Sequence, residues 1–306
     1  MSKIIFFGNY KGGVGKTTSV FSVAHYLAKE FDKKVLMIDI DPQSSLSEIC
    51  IRNNGSWDKL KDVPANETLN YIFDLSIRRI NRYSNISLNF NAHSLIKGCR
   101  MEGVHFIPTS LYYEGNLGLD ELSMKMTNSI EYFSILPQFL SELEQFSFDY
   151  ILVDCPPTSN IITQSAFLMS DYYMIPTVED GISTNGVLHY IHTIGETYNR
   201  YCTKQFDDYL FYKHFFKDKP QLLGVFYTLS RGQVNYTEIE QDFETELANE
   251  NLSEKDIYVF RAYTDNFVNI ARQIAIGNVA GIVNGKESYK DITHEMFNRI
   301  VEIEAG

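Results

Sequence analysis

The chain of 306 residues lacks the marks of membrane and disulfide-stabilised proteins. No stretch approaches the roughly 18 consecutive apolar residues that a membrane-spanning helix needs, and the N-terminal residues MSKIIFFGNYKGG show no signal-peptide pattern. The four cysteines are far apart and form no C-x-x-C pair. We therefore expect reduced thiols, rather than a disulfide framework or a zinc site, and a cytoplasmic protein.

Positive charge is also scarce. There are 27 Lys and Arg against 39 Asp and Glu, a net charge of -12 at pH 7, which argues against a wholly basic nucleic-acid binder. A local basic patch stays open, because phosphate contacts need only a few cations. The residues that could form one are Arg78, Arg79 and Arg82, with Lys97 and Arg100 downstream. The alternative is that they form a solvated face.

What the chain does contain is a series of short runs rich in β-branched and aromatic residues. Most are almost continuously apolar, as in strands that are covered on both faces. The predicted strands are 3–8, 34–40, 104–109, 150–155, 172–177, 222–229 and 257–263.

Helical spacing occurs between these runs. Val20, Val23, Ala24 and Leu27 predict a helix from about Lys16 to Lys29. Ser183 or Thr184 is placed to cap another helix, whose apolar positions are Val187, Leu188, Ile191 and Ile194. Alternation of strands and helices predicts an α/β fold, a doubly wound and mostly parallel sheet flanked by helices. No break in composition marks a second domain, so we expect one domain over 1–306, with a polar, helical or flexible insertion at about 52–100.

The first turn is the sequence NYKGGVGKTT at residues 9–18. It ends like a phosphate-binding loop, but Tyr10 stands where the usual G-x-x-x-x-G-K-[ST] pattern has its first glycine. A glycine-rich turn between a strand and a helix directs backbone N–H groups at an anion. Lys16 adds charge for terminal phosphates, and the hydroxyl of Thr17 is a ligand for Mg²⁺. The predicted nucleotide-binding residues are Lys11, Gly12, Gly13, Val14, Gly15, Lys16, Thr17 and Thr18.

Acidic residues follow two of the predicted strands. Asp39 and Asp41 lie in VLMIDIDPQSS, and Asp154 lies in YILVDCPPTS. Carboxylates at the C-terminal ends of parallel strands line the crevice in which such sheets bind ligands. Asp39 and Asp154 are placed to hold Mg²⁺ through its waters. Alternation along the strand puts Asp41 on the same face as Asp39 if the strand extends that far, where it could orient the attacking water. The alternative is that these acids cap helices or form turns.

The motifs KGGVGKTT, DIDPQ and DYILVDCPP, in this order, closely resemble the deviant Walker A ATPases of the ParA/MinD/Soj group. The resemblance covers most of 1–195 and continues weakly to about Gly277. It implies ATP hydrolysis with Mg²⁺, with ATP and ADP as the bound nucleotides. It also implies that Lys11 reaches the nucleotide of a second subunit in an ATP-bound homodimer, that Lys16 serves the nucleotide of its own subunit, and that Asp41 activates the attacking water.

The resemblance is closest to plasmid and chromosome partition proteins. A membrane-binding tail is disfavoured, since the last helical segment ends in Glu302 and Glu304. Cys155 alone does not suggest an iron–sulfur cluster, and the tyrosines do not cluster at the C-terminus as in the tyrosine-kinase branch. The resemblance to partition proteins implies non-specific DNA binding and nucleoid association. It also implies weak ATP hydrolysis that is stimulated by a centromere-binding ParB-like partner.

One departure from the family's sequence pattern bears on DNA binding. The family segment R-x-x-I-P-R-N-V-R-L-S-E corresponds to RAYTDNFVNIAR at 261–272, where Asp265, Asn266 and Asn269 replace Pro, Arg and Arg. Arg231 matches a family position associated with DNA contact, and Arg272 is a second candidate. Two hypotheses therefore remain: a DNA-partitioning ATPase, or a similar ATP switch that positions or regulates a protein complex without DNA.

Overall fold

The computed structural model describes residues 2–82, 90–178, 183–204, 208–216, 218–230, 257–265 and 287–305, with seven positions between 234 and 245. Its strands are β1 (Lys3–Phe7), β2 (Val35–Asp39), β3 (Lys97–Gly98), β4 (Val104–Ile107), β5 (Tyr150–Asp154), β6 (Tyr172–Val178) and β7 (Gln221–Thr228). They form one sheet in the order β3-β4-β2-β5-β1-β6-β7. All neighbours are parallel except β3, which is antiparallel to β4. The predicted α/β fold with a mostly parallel sheet is confirmed.

Helices cover both faces of this sheet. Their bounds are α1 (Lys16–Phe31), α2 (Ser45–Asn54), α3 (Leu69–Arg82), α4 (Ala92–Leu95), α5 (Leu119–Ser123), α6 (Ile130–Phe133), α7 (Ile135–Ser141), α8 (Ile161–Leu168), α9 (Ser183–Cys202), α10 (Tyr209–Phe215) and α11 (Ser288–Ala305). Alternate strand residues enter opposite cores, so that Phe6 and Ile38 pack on one face while Phe7 and Met37 pack on the other. Burial on both faces explains why the strand sequences are continuously apolar.

Two predicted helices occur where they were expected. Helix α1 extends two residues past the predicted end, and Asp32 closes it in the left-handed conformation with φ of 52°. Helix α9 buries Val187, Leu188, Ile191 and Ile194. The predicted cap of α9 depends on the side chains of residues 183 and 184, which lie outside the described residues.

The seventh predicted strand, 257–263, is wrong. It makes only an isolated parallel bridge to β7, between Val225 and Val259. The next donors along the segment, the backbone N–H groups of Arg261 and Ala262, donate to the carboxylate of Glu295 on α11 at 2.8 and 2.9 Å. Because a side chain on α11 takes these donors, the ladder with β7 is interrupted, and pairing resumes only at Thr264, whose backbone N–H donates to the carbonyl of Tyr227 at 3.0 Å.

The segment 52–100 is more ordered than its polar composition suggested. Its helix α3 buries Leu69, Ile72, Phe73 and Ile77 in the same core as the sheet. For 69–82, the helical alternative is therefore the one observed. The short β3 was not predicted either. That 52–100 is an insertion relative to the family stays a prediction.

The last helix packs on the first. Helix α11 buries Tyr289, Ile292, Met296 and Ile300 in the core that α1 shares. Its predicted apolar face is thus already covered by protein. Every described helix is too short or too polar to cross a bilayer.

Candidate functional site

The glycine-rich loop joins the C-terminal end of β1, in the middle of the sheet, to the N-terminus of α1. Gly13 and Gly15 have φ of 74° and 76°, which is the left-handed region that favours glycine. No side chain caps the start of α1 at Gly15. The first N–H groups of α1 therefore point from the helix end without a side-chain acceptor, which is the geometry that binds phosphate.

Lys16 lies inside this loop and is only 7% exposed. Its ammonium group donates to the carbonyl oxygens of Asn9, at 3.1 Å, and Lys11, at 3.0 Å. The loop thus wraps around the charge of Lys16. Thr17 and Thr18 follow in the first turn of α1 and are partly exposed.

Asn9 fixes the start of the loop, a role that the sequence prediction missed. Its side chain is buried, donates to the carbonyl of Pro176 on β6 at 3.0 Å, and accepts the backbone N–H of Lys11 at 2.9 Å. The amide side chain suits this position because it both donates and accepts. Asn9 thereby sets where the backbone of Lys11 lies relative to the sheet.

Thr228, at the end of β7, fixes the middle of the loop and was also missed. Its hydroxyl oxygen lies 2.8 Å from the carbonyl of Val14 and 3.0 Å from that of Thr177 on β6. The side chain of Thr228 also lies in van der Waals contact with the position that a Cβ on Gly15 would take, at 3.7 Å. A threonine in a continuous apolar run carries no sequence signal for this role.

Tyr10, which replaces the expected glycine, packs against α9. Its ring meets that of Tyr190 edge-on, with 4.8 Å between centroids, and lies 5.8 Å from the ring of His189. The Tyr190 hydroxyl in turn occupies the space beside Gly8, where a Cβ would lie 1.8 Å from it. The tyrosine at position 10 therefore ties the outer edge of the loop, next to Lys11, to helix α9.

Asp39 lies at the end of β2 and is 1% exposed. One carboxylate oxygen accepts the backbone N–H and the hydroxyl of Ser47 on α2, at 2.8 and 2.7 Å. The other accepts the backbone N–H of Asp41 at 3.1 Å. Burial raises the pKa of Asp39 to about 7, although these hydrogen bonds act in the opposite direction.

Asp154 lies opposite Asp39, as its register partner on the neighbouring β5, and is fully buried. Neither of its carboxylate oxygens has a hydrogen bond of ordinary geometry within the described part of the chain. Burial raises its pKa well above the usual range, as does the charge of Asp39, while the nearby Thr17 hydroxyl and the Lys16 ammonium lower it. A buried carboxylate without partners is unfavourable unless a cation or donor completes its surroundings.

Asp41 is placed differently from what alternation suggested. Strand β2 ends at Asp39, so the expectation that the strand carries both carboxylates on one face is wrong. The chain turns instead, and the Asp41 carboxylate accepts the backbone N–H of Gln43 at 2.9 Å. Asp41 therefore does form a turn, as the alternative interpretation held. It is partly exposed beside the loop, and its second oxygen stays available for a proton or a water.

The oxygen ligands fit magnesium. Mg²⁺ takes one or two protein oxygens and keeps most of its waters. The Thr17 hydroxyl and the partnerless carboxylate of Asp154 supply such oxygens at one place, whereas three of the acceptor positions of Asp39 are already used. No cluster of three or more His, Cys, Asp or Glu side chains occurs in the described ranges.

Two of the five cations of the suggested basic patch are paired with acidic side chains of this protein. Arg78 pairs with the buried Asp74, with 3.0 Å between Nε and Oδ1, and with Glu114 at 3.3 Å. Lys97 is buried, pairs with Glu67, and lies over the ring of Trp57. Two of the five cations are thus used inside this protein. The DNA candidates Arg231 and Arg272, with Asn266 and Asn269, lie outside the described residues, so those predictions stay predictions.

All four cysteines are free thiols, as expected. Cys155 follows Asp154 and donates to the carbonyl of Phe7. Its burial raises the pKa of the thiol, which makes it a packing residue rather than a reactive one.

Comparison with known proteins gives the same assignment as the fold and the loop. Residues 2–206, more than half of the chain, match the family described as AAA domain. The chain is 29% identical over 196 residues to the virulence plasmid ParA family protein pGP5-D of Chlamydia psittaci, and 28% identical over 194 residues to the sporulation initiation inhibitor protein Soj of Bacillus subtilis. Each alignment covers 63% of this chain, and 64% and 65% of these relatives, so it spans a little under two thirds of their length.

The similarity in structure extends further along the chain. The ATP complex of a McdA variant from Cyanothece superposes with a TM-score of 0.67 at 17% identity, covering 98% of this chain and 96% of that one. At this identity the likeness establishes the fold. The chain therefore belongs to the AAA-domain family, with a P-loop NTPase fold and with ParA and Soj proteins among its relatives.

Proposed function

We propose that the protein is an ATP-hydrolysing switch that dimerises around bound ATP and acts in the partition of plasmid or chromosomal DNA. The proposal rests on one observation, which is that the C-terminal ends of the neighbouring strands β2, β5 and β1 bring their functional residues to one edge of the sheet. The loop after β1 surrounds Lys16, and the buried carboxylates of Asp39 and Asp154 end the two strands to one side of it. This arrangement combines anion-binding amides, a cation, and oxygen ligands at one edge of the sheet.

In this proposal the loop amides from Gly12 to Thr18 bind the phosphates, with Lys16 on the terminal ones. Asp41 orients the attacking water and accepts its proton as the bond between the terminal phosphorus and ADP breaks. Thr17 would hold Mg²⁺ directly and Asp154 and Asp39 through water. The metal supplies charge neutralisation of the phosphates.

Lys11 has a separate role in the proposed dimer. Lys16 and the loop amides already serve the bound nucleotide from within the subunit. Lys11 lies at the outer edge of the loop, where Asn9 and Tyr10 position its backbone. From this edge its ammonium group is suited to reach phosphate in a second copy of the chain. ATP that contacts both copies stabilises the dimer by mass action, and hydrolysis releases it.

The test of this role is the substitution Lys11→Ala. Nucleotide affinity should be largely retained, while ATP-dependent dimerisation, measured by light scattering behind size-exclusion chromatography, should be lost. Lys59→Ala, at an exposed position, is the control for loss of one positive charge. Dimerisation of Lys11→Ala with ATP would show that this lysine does not act between subunits.

The DNA part of the proposal rests on the resemblance to partition proteins. Its test is retention on non-specific duplex DNA at low salt, with ATP, with ADP and without nucleotide. Retention that requires ATP and falls linearly in log–log form with salt concentration supports binding through phosphates. No retention at low salt with ATP would refute this part and leave the ATP switch in place. A ParB-like partner that stimulates hydrolysis is proposed on the same grounds.

A second function, which does not involve DNA, is favoured by the shortage of available basic residues. Arg78 and Lys97 are occupied by internal ion pairs, and the neutral residues Asn266 and Asn269 replace the two expected arginines. These observations favour the alternative, in which the same ATP-dependent dimer positions or regulates a protein complex without DNA. The DNA-retention experiment separates the two functions.

A further inference from the structure

A line of buried hydroxyl groups connects the C-terminal helix to the phosphate loop. The hydroxyl of Ser19 lies 2.8 Å from the carbonyl of Gly15 and 3.2 Å from the hydroxyl of Tyr289 on α11. The side chain of Thr264 lies beside the Tyr289 hydroxyl. The Thr264 hydroxyl, in turn, accepts the backbone N–H of Leu229 at 3.2 Å.

The donors and acceptors of this line fit in one direction only. A carbonyl cannot donate, so Ser19 donates to Gly15, and Tyr289 then donates to Ser19. Because the single proton of Tyr289 is used at Ser19, a hydrogen bond between Tyr289 and Thr264 would have Thr264 as its donor. Ser19, Tyr289 and Thr264 are each at most 3% exposed. Hydrogen bonds aligned in this way in a water-free interior strengthen one another.

Both ends of the line lie at positions with positive φ. Gly15 has φ of 76°, and Leu229, directly after β7, has φ of 55°, which is rare for a residue with a branched side chain. The preceding residue of β7, Thr228, already contacts the loop at Val14. Thr228 thus holds the loop directly at Val14, while the next residue, Leu229, is bound to Thr264 beside Tyr289.

We propose that Tyr289 is a positioning residue for the nucleotide site, which sets the Gly15 carbonyl, and with it the loop, from the last helix of the chain. The proposal rests on nucleotide binding at this loop. Tyr289 itself touches no substrate: its effect passes through Ser19. A glycine has no side chain to fix its orientation, so the hydrogen bonds of its carbonyl decide how the following amides point. The expected consequence is a loop already shaped for phosphate before nucleotide binds.

The experiment is the isosteric pair Tyr289→Phe and Ser19→Ala, each measured for the dissociation constant of a fluorescent ATP analogue with Mg²⁺ and for thermal stability without nucleotide. Loss of one aligned hydrogen bond should weaken nucleotide binding by about five- to tenfold. The double variant should bind no more weakly than about the weaker single variant, because both changes break the same line.

Tyr258→Phe is the matched control. The Tyr258 hydroxyl donates to Glu295 on α11 at 2.8 Å, so this variant also removes a tyrosine hydroxyl that holds α11, but one without contact to the loop. It should lose stability like Tyr289→Phe and keep wild-type nucleotide affinity. Wild-type affinity in both Tyr289→Phe and Ser19→Ala would overturn the inference, as would equal loss of affinity in Tyr258→Phe. Absence of nucleotide binding by the wild-type chain would refute the proposed function, and this inference with it.

Discussion

Asp39 and Asp154 are register partners at the ends of two neighbouring strands, yet their carboxylates have opposite surroundings. That of Asp39 accepts three hydrogen bonds from Ser47 and Asp41, whereas that of Asp154 is buried without one of ordinary geometry. The pair therefore consists of one acid that holds the local structure together and one whose surroundings, we propose, are completed by a ligand.

The two acids should consequently respond differently to replacement by an amide. Asp154→Asn removes no hydrogen bond and relieves the burial of a charge, so the free energy of unfolding without ligands should not fall. Asp39→Asn loses acceptors for buried donors and should lower it by about 1–3 kcal/mol. Thermal unfolding with and without ATP and Mg²⁺ checks this: Asp154→Asn should lose most of the ligand-induced stabilisation, about 2.7 kcal/mol at 100 times the dissociation constant. Equal destabilisation of both variants without ligand would contradict the distinction.

Asn9 should be required for the shape of the loop. Asn9→Ala leaves the carbonyl of Pro176 and the N–H of Lys11 without their partner, and we expect a loss of about 1–3 kcal/mol in the free energy of unfolding. Because the backbone of Lys11 is no longer held, ATP-dependent dimerisation should weaken as well. The exposed Asn91, whose side chain caps a four-residue helix far from the loop in sequence, provides the comparison in Asn91→Ala. An Asn9→Ala protein that dimerises like the wild type would show that other contacts hold Lys11.

Arg78 should contribute to the stability of the fold rather than to nucleic-acid binding. Asp74 is buried and receives both Arg78 and the Tyr113 hydroxyl, at 3.0 Å. Arg78→Ala leaves this carboxylate poorly compensated and should lower the free energy of unfolding by about 1–3 kcal/mol, less than a fully buried pair because the arginine is half-exposed. Arg82→Ala, on the exposed end of the same helix, should change it by no more than about 0.5 kcal/mol. Urea unfolding and DNA retention of both variants separate the two roles.

The apolar face of the last helix should act as core. Met296 is fully buried, and Met296→Ala should cost about 2–5 kcal/mol in unfolding free energy. Val301 is 52% exposed on the same helix, and Val301→Ala should stay within about 0.5 kcal/mol. Sedimentation with vesicles of anionic lipid should recover neither the wild type nor Val301→Ala, since the apolar face is occupied by α1. Specific recovery of the folded wild type with vesicles would contradict this assignment.

Acidification should destabilise the protein partly through His105. Burial lowers the pKa of His105 on β4, as does the nearby Lys34, and its Nδ1 atom has no hydrogen-bond partner in the described structure. As the pH falls through the unfolded value of about 6.5, the unfolded chain takes up a proton that the folded chain resists, so the free energy of unfolding decreases. His105→Gln should make this decrease shallower between pH 7 and 5, and an unchanged slope would contradict the prediction. Chemical unfolding across this pH range is the measurement.

The sequence was sufficient for the features that depend on local pattern. Six buried strands, helices α1 and α9 and the glycine loop were predicted close to their observed bounds, because apolar runs and glycine spacing reflect the sheet and the phosphate turn directly. The failures have a common cause. The segment 257–263 gives its donors to Glu295, a side chain 30 or more residues away, and Asn9, Thr228 and Tyr289 act through partners on other elements. Such contacts leave no local pattern.

The contact between Ser19 and Tyr289 spans 270 positions of the sequence. During translation, at about 5–20 residues per second, the loop and α1 leave the ribosome tens of seconds before α11 is made. A nascent chain that stops short of Tyr289 therefore carries the whole glycine loop but not the hydroxyl that secures Gly15. If the proposed positioning role of Tyr289 holds, a chain released before this residue should bind nucleotide about five- to tenfold more weakly than one that includes it.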